Sequence, residues 1–140
     1  MTRAVAIDLG ARRIGVAVSG GTGTMAFPRE IIRRTGDRSA DHRKVAAVVE
    51  DVGADVVVVG WPLSLDGTEG PAARGAADEA RQLEDALAAR GVRVELFDER
   101  FTTVTADAGL AAAGKRGPAR RHSVDSAAAT VLLESWLASR

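Results

Sequence analysis

The chain has no cysteine, no net charge, and no apolar run approaching the roughly 20 residues of a bilayer span. The first absence excludes disulfide staples and thiolate zinc sites, so any metal must be held by oxygen or histidine. A zero charge balance argues against indiscriminate coating of nucleic acid, although a local basic patch can coexist with it. Met1-Thr-Arg runs directly into a strand-like segment without a signal-peptide apolar region, which makes the cytoplasm the expected compartment. Internal repeats, low-complexity tracts and domain linkers are also missing. The 140 residues, 46% hydrophobic and 27% charged, are therefore expected to form one globular domain, 1–140, with a core of its own.

The anchor of the sequence is Arg3 to Val18. An apolar strand, a turn from Gly10 to Arg13 and a second apolar strand from Ile14 to Val18 predict a β-hairpin, with one acid, Asp8, set among Val5, Ile7 and Leu9. An uncompensated polar group there costs several kcal/mol on the order of magnitude, so Asp8 must be neutral, paired or bound to a cation. A third extended segment follows from Met25 to Arg34, and Pro28 suits an edge position because it cannot donate to a ladder. Val45, Val48, Val49 and Val52 then recur with helical period, predicting a helix from Ser39 to Val52 closed by Gly53. Asp55 to Val59 reads as a strand buried on both faces.

The polar, glycine-rich stretch from Leu63 to Pro71 lies just past that strand and is a candidate mobile substrate loop. Ala76, Ala80, Leu83 and Leu87 mark a second helix over Ala72 to Arg90, with Gly91 at its end. Val92, Val94 and Leu96 alternate with polar neighbours in a half-buried strand that delivers Asp98-Glu99-Arg100 to its carboxyl end. A short helix from about Thr102 to Ala113, a basic loop from Gly114 to His122 and a final helix from Ser123 to Ala138 complete the chain. The hairpin forces antiparallel pairing, whereas the later strands arrive through crossover helices and lie parallel to the first. The expected fold is α/β: a mixed five-stranded sheet, its first three strands antiparallel, with helices on both faces.

This topology delivers Asp8, Glu99 and Asp125 to one strand-end crevice. Asp125 shares a helical stripe with Ala128, Ala129, Leu132 and Trp136, which points it toward the sheet. Three oxygen donors suit Mg²⁺ or Mn²⁺, and such ions can activate water against a phosphodiester. Each acid also has a plainer reading: Asp8 as a turn-capping hydrogen bonder, Glu99 as a surface partner of Arg100, and Asp125 as a helix N-terminal acid. Asp98 and Asp107 read as solvated or capping, and His42 and His122 as solvated, with His122 a minor catalytic candidate near Asp125. Lys115, Arg116, Arg120 and Arg121 precede the helix of Asp125 and read either as a solvated face or as a phosphate-contacting arm, with Arg12 and Arg13 adding to the same basic rim. Trp61 reads as packed, or as a base-stacking platform.

Four segments carry a family resemblance: Asp8-Leu-Gly-Ala-Arg-Arg-Ile-Gly-Val-Ala-Val18, Val58-Val-Gly-Trp-Pro-Leu63 with Asp66-Gly-Thr-Glu-Gly70, Asp98-Glu-Arg-Phe-Thr-Thr103, and Val124-Asp-Ser-Ala-Ala128. In order and over essentially the whole chain, they resemble the motifs of the YqgF/RuvX family of Holliday junction resolvase-like and pre-16S ribosomal RNA nucleases. The resemblance implies a ribonuclease H-like fold and acidic active-site positions at Asp8, Glu99 and Asp125. It also implies a substrate-side role for Arg100, Thr102 and Thr103. Trp61 stands where an aliphatic residue is usual, and Ala128 where related junction resolvases carry a fourth acid, which bears on the number of metal ions.

The leading expectation is a metal-dependent nuclease acting on structured RNA at the 5′ end of the small-subunit ribosomal RNA precursor, in contact with a pre-ribosomal particle. Its rivals are a four-way DNA junction resolvase, which needs a dimer to place two active sites symmetrically, and a non-catalytic RNA-binding assembly factor. A nucleotide-clamping kinase of the actin and sugar-kinase type needs two such domains, and 140 residues supply one. Monomer and homodimer both remain open.

Overall fold

The computed structural model describes residues 2–20, 25–102 and 117–140, and excludes the side chains of residues 101 and 117–126. Five strands, β1 (Ala4–Leu9), β2 (Arg13–Gly20), β3 (Met25–Arg33), β4 (Val56–Trp61) and β5 (Arg93–Asp98), form one sheet in the order β3-β2-β1-β4-β5. β1 pairs antiparallel with β2, and β2 with β3, while β4 lies parallel to both β1 and β5. The carboxyl ends of β1, β4 and β5 therefore line up along one edge of the sheet, as the hairpin-then-crossover pattern predicts. Pro28 sits on the edge strand, opposite Ala17, where the register shifts by a bulge.

Alternation along β1 divides the core. Val5 and Ile7 face a cluster with Ile14, Val16, Val57 and Val59, covered by Val45, Val48 and Val49 of α1 (Arg38–Val52) and Leu83 and Leu87 of α2 (Pro71–Leu87). Ala4 and Ala6 face the opposite side, with Ala17, Val56 and Val58, against Ala129, Leu132, Leu133 and Trp136 of α3 (Gly117–Ala138). The small side chains on that face let α3 lie close to the sheet. Helices thus cover both faces, and none among the described residues is long and apolar enough to cross a membrane.

The ends of α1 follow from local chemistry. The Asp37 carboxylate accepts from the Ala40 amide at its start, and Gly53, at φ 70°, closes it in the left-handed conformation. A 3₁₀ turn over Ala88–Arg90 extends α2 to Gly91. α3 starts six residues ahead of the expected Ser123, so Arg120, Arg121 and His122 lie on helix and not in a loop. Pro118 explains this, because a proline is well tolerated in a first helical turn. The expected helix over 102–113 falls on residues outside the described ones, apart from Thr102.

Candidate active site

Asp8 lies on β1 with the parity of Ala4 and Ala6, so it belongs to the α3 face of the sheet. Ile7 pairs with Val59 across the parallel ladder, which puts Gly60 next in register beside Asp8. Glu99 comes from β5: it opens a 3₁₀ turn, Glu99–Phe101, immediately after the strand. Its carboxyl occupies the space above Gly60, where an added Cβ would lie too close to Glu99 Oε1 and only 2.9 Å from Cδ. A glycine at the end of β4 is therefore what allows an acid from one neighbouring strand to reach an acid on the other.

The two acids meet through a side-chain hydrogen bond. Burial pushes the Glu99 carboxyl up, and the Asp8 charge, the hydrogen bond with Asp8 and the Asp98 charge push the same way, to about 7. A carboxyl pair of this kind holds one proton between its members near neutral pH. The plainer reading of Glu99 as a partner of Arg100 does not hold for the ion pair that forms: Arg100 binds Asp98, with Nη2 at 2.6 Å and Nε at 2.8 Å. The Asp98 carboxylate also caps the turn by accepting from the Arg100 amide. Thr102 is buried and donates its hydroxyl to the Glu99 carbonyl at 2.9 Å, so it supports the turn from beneath.

The loop after β4 is closed on itself. Ser64 N donates to Thr68 O, Asp66 accepts from both the amide and the hydroxyl of Thr68, and Arg100 Nη1 reaches the Leu65 carbonyl at 3.3 Å. Trp61 donates its indole N–H to Glu69. Arg100 thereby ties the loop to the segment that carries Glu99. Asp125 lies on the backbone of α3, one turn before the buried Ala129. Its side chain and those of Arg120 and Arg121 are outside the described residues, as are Thr103, Lys115 and Arg116. Among the described residues no group of three or more histidines and acids gathers as a metal site. The pair Asp8 and Glu99 nonetheless fits a hard divalent cation: both donors are carboxylate oxygens, and a cation would offset the burial and the repulsion that raise Glu99.

A second cluster braces the turn after Asp8 from the other side. Arg34 Nε donates to the Gly10 carbonyl at 2.8 Å, and its two terminal nitrogens grip Glu79 at 2.8 and 2.9 Å. Glu79 is buried on α2 and also meets His42 Nε2 at 2.7 Å. Burial alone would raise the Glu79 carboxyl, but hydrogen bonds from Arg34 and His42 and the charges of Arg34 and Arg38 leave it below its ordinary value. His42, expected to be solvated, is buried because it lies three residues before Val45 on the apolar face of α1. Glu79 was legible in the same way, between Ala76 and Leu83 on the buried stripe of α2.

A sequence model of the RuvX family, described as Holliday junction resolvase, matches residues 2–139. This chain belongs to the RuvX family. Among the family's curated proteins, one from Thermobifida fusca is 48% identical over 95% of this chain and 85% of its own length. Another, from Anaeromyxobacter, is 42% identical over 99% and 98%, and one from Mycobacteroides abscessus is 41% identical over 99% and 82%. All three carry the name "Putative pre-16S rRNA nuclease". Among solved structures, Thermus thermophilus RuvC in complex with a Holliday junction substrate superposes with a TM-score of 0.64 at 15% identity, covering 99% of this chain and 98% of that one. The yeast mitochondrial Holliday junction resolvase gives 0.54 at 9% identity, covering 98% and 79%. These likenesses establish the ribonuclease H-like fold of the family member described here.

Proposed function

We propose that this RuvX-family protein is a divalent-metal-dependent endonuclease that cuts structured RNA, trimming the 5′ end of the small-subunit ribosomal RNA precursor. The observation that carries the reading is the Asp8–Glu99 carboxyl pair above Gly60 at the aligned strand ends. The substrate comes from the name borne by relatives up to 48% identical. Asp8 and Glu99, joined by Asp125 from α3, would hold Mg²⁺ or Mn²⁺. When bound, the ion supplies the positive charge that neutralises the phosphodiester and polarises the attacking water.

The chain's own residues do the rest. Asp98 and Thr102 fix the turn of Glu99, so its carboxyl keeps its place over Gly60. Asp8 and Glu99 would hold the cation as two ionised carboxylates, whereas without it they share one proton and carry a single negative charge between them. Arg34 fixes the turn that follows Asp8. Arg12, Arg13 and Arg100 would contact phosphates on either side of the scissile bond, with Thr103, Lys115, Arg116, Arg120 and Arg121 as further substrate contacts.

The description of the family model supports a second reading, resolution of four-way DNA junctions, which would require a dimer. One experiment separates the two: cleavage of a precursor ribosomal RNA 5′ leader and of a four-way DNA junction by wild type and Asp8→Asn, in Mg²⁺ and in Mn²⁺. Metal-dependent cutting of the RNA alone, absent in the variant, is the expected result. Symmetric nicks in the junction alone would reverse the assignment, and no cutting of either would leave a binding factor.

A further inference from the structure

On the α1 side of the strand ends, a cleft of about 670 Å³ opens between the β1–β2 turn, the end of β3 and the start of α1. Five arginines line it: Arg12, Arg13, Arg33, Arg34 and Arg38. Asp41, the lining acid among the described residues, is buried and committed to the amide and hydroxyl of Thr35. Glu79 neutralises Arg34 from below and lies 3.8 Å from Arg38. Among the described residues, five guanidinium groups thus stand against these two carboxylates. Arg12 and Arg33 are exposed and form no ion pair among the described residues.

The cleft adjoins the carboxylate site. A second cleft contains Asp8, Gly60 and Glu99 and shares Gly10, Ala11, Arg34 and Arg38 with the first. The carboxyl pair and the arginine basin thus lie on either side of the Gly10 turn, Arg34 and Arg38. The basin walls are rigid: Arg34 locks the turn through Gly10 O, and its own amide donates to Arg12 O at 2.9 Å.

We infer that this basin is a docking groove for the phosphodiester backbone of the nucleic acid that flanks the cleavage point. The inference rests on the nuclease reading. A polyanion whose scissile phosphate lies at Asp8 and Glu99 must leave the site, and the two acids repel the rest of it. The arginine basin is an adjoining exit of opposite charge among the described residues, and the planar fork of arginine matches two phosphate oxygens at once. Such contacts carry no base information, so the groove holds the backbone in register whatever the sequence.

The test is equilibrium binding, across a KCl series without divalent metal, of two fluorescent probes, an RNA 5′ leader and a four-way DNA junction, to Asp8→Asn protein. Two triple variants are added in that background. One is Arg12→Gln, Arg33→Gln and Arg38→Gln; the other removes equal charge elsewhere, as Arg81→Gln, Arg90→Gln and Arg93→Gln. Circular dichroism and thermal midpoints verify that both are folded. Each backbone contact contributes about 0.7 to the slope of log affinity against log salt for a single strand. Loss of three should flatten that slope by about 2, with affinity at low salt falling about tenfold or more, while the control triple stays near its parent.

An unchanged slope, equal losses in the two triples, or a parent that binds neither probe would overturn the groove. Cleavage by the Asp8-containing protein is read separately. If it cuts neither substrate while the slope difference persists, the nuclease reading fails and the groove stands as a binding surface. Cleavage without a slope difference defeats the groove alone.

Discussion

Arg34 grips Glu79 with both terminal nitrogens, at 2.8 and 2.9 Å, while its Nε holds the Gly10 carbonyl two residues beyond Asp8. One guanidinium therefore links the interior of α2 to the turn on which the candidate site is built. Glu79 is buried and is satisfied further by His42. An ion pair in that position need not stabilise the fold relative to an apolar pair, but removing half of it leaves a buried charge alone.

That asymmetry gives the first prediction. Glu79→Ala should lower unfolding stability by about 3–5 kcal/mol, because Arg34 and His42 lose their acceptor in a desolvated place. Urea denaturation measures this. A loss below about 1 kcal/mol would mean that water replaces the carboxylate and that the brace is not rigid.

Buried Glu79 and half-buried Glu99 should titrate the fold in opposite directions. Glu79 lies below its ordinary 4.5, so its contribution is present above that pH and fades as acid takes the pH down through its folded value. Glu99 is raised from 4.5 to about 7, so the folded state keeps a proton that the unfolded chain has released. In chelator, stability should therefore fall as pH rises from 4.5 to 7, a slope that Glu99→Gln removes and Glu79→Gln keeps. A wild-type stability flat across that window would contradict the contact between Glu99 and Asp8.

Asp8→Asn should abolish cleavage and leave the fold at least as stable. The amide keeps the shape and removes the charge that repels Glu99, so at pH 7 without metal the gain should be on the order of 1 kcal/mol. Asp125→Asn should also abolish cleavage. Activity assays alongside thermal unfolding measure both, and wild-type cleavage in either variant would remove that residue from the site.

The sequence made some of this visible and hid the rest for physical reasons. Asp8 stood out because an acid inside an apolar strand needs an explanation that only a partner supplies. The antiparallel first strands and the parallel later ones followed from a hairpin succeeded by two crossovers. The same topology brought Asp8 and Glu99 to one crevice, but not the hydrogen bond between them, since Asp98, Glu99 and Arg100 offer two possible ion pairs and only the turn geometry assigns the arginine to Asp98. His42 and Glu79 each sit on a buried helical stripe, but a polar residue there is as readily solvated at a stripe's margin as buried, and only the ion pair with Arg34 decides it. Gly60 looked like the end of a strand, and its role depends on a side chain 39 positions later.

Gly60 therefore carries the most discriminating prediction. In Gly60→Ala the new methyl would overlap the Glu99 carboxyl, reaching within 2.9 Å of Cδ and 3.1 Å of Cγ. The atoms it meets belong to the end of a flexible side chain, so the fold can accommodate it by swinging Glu99 away, at a stability change within about 1 kcal/mol. The carboxyl pair cannot survive that swing. Cleavage should fall at least tenfold, and the decline in stability between pH 4.5 and 7 should flatten, because Glu99 away from Asp8 returns toward its ordinary titration. A purely structural glycine would behave the other way round, with the fold weakened and both the pH slope and the residual activity per folded molecule preserved. Measuring unfolding against pH beside turnover in one variant thus decides whether the glycine serves the sheet or the site.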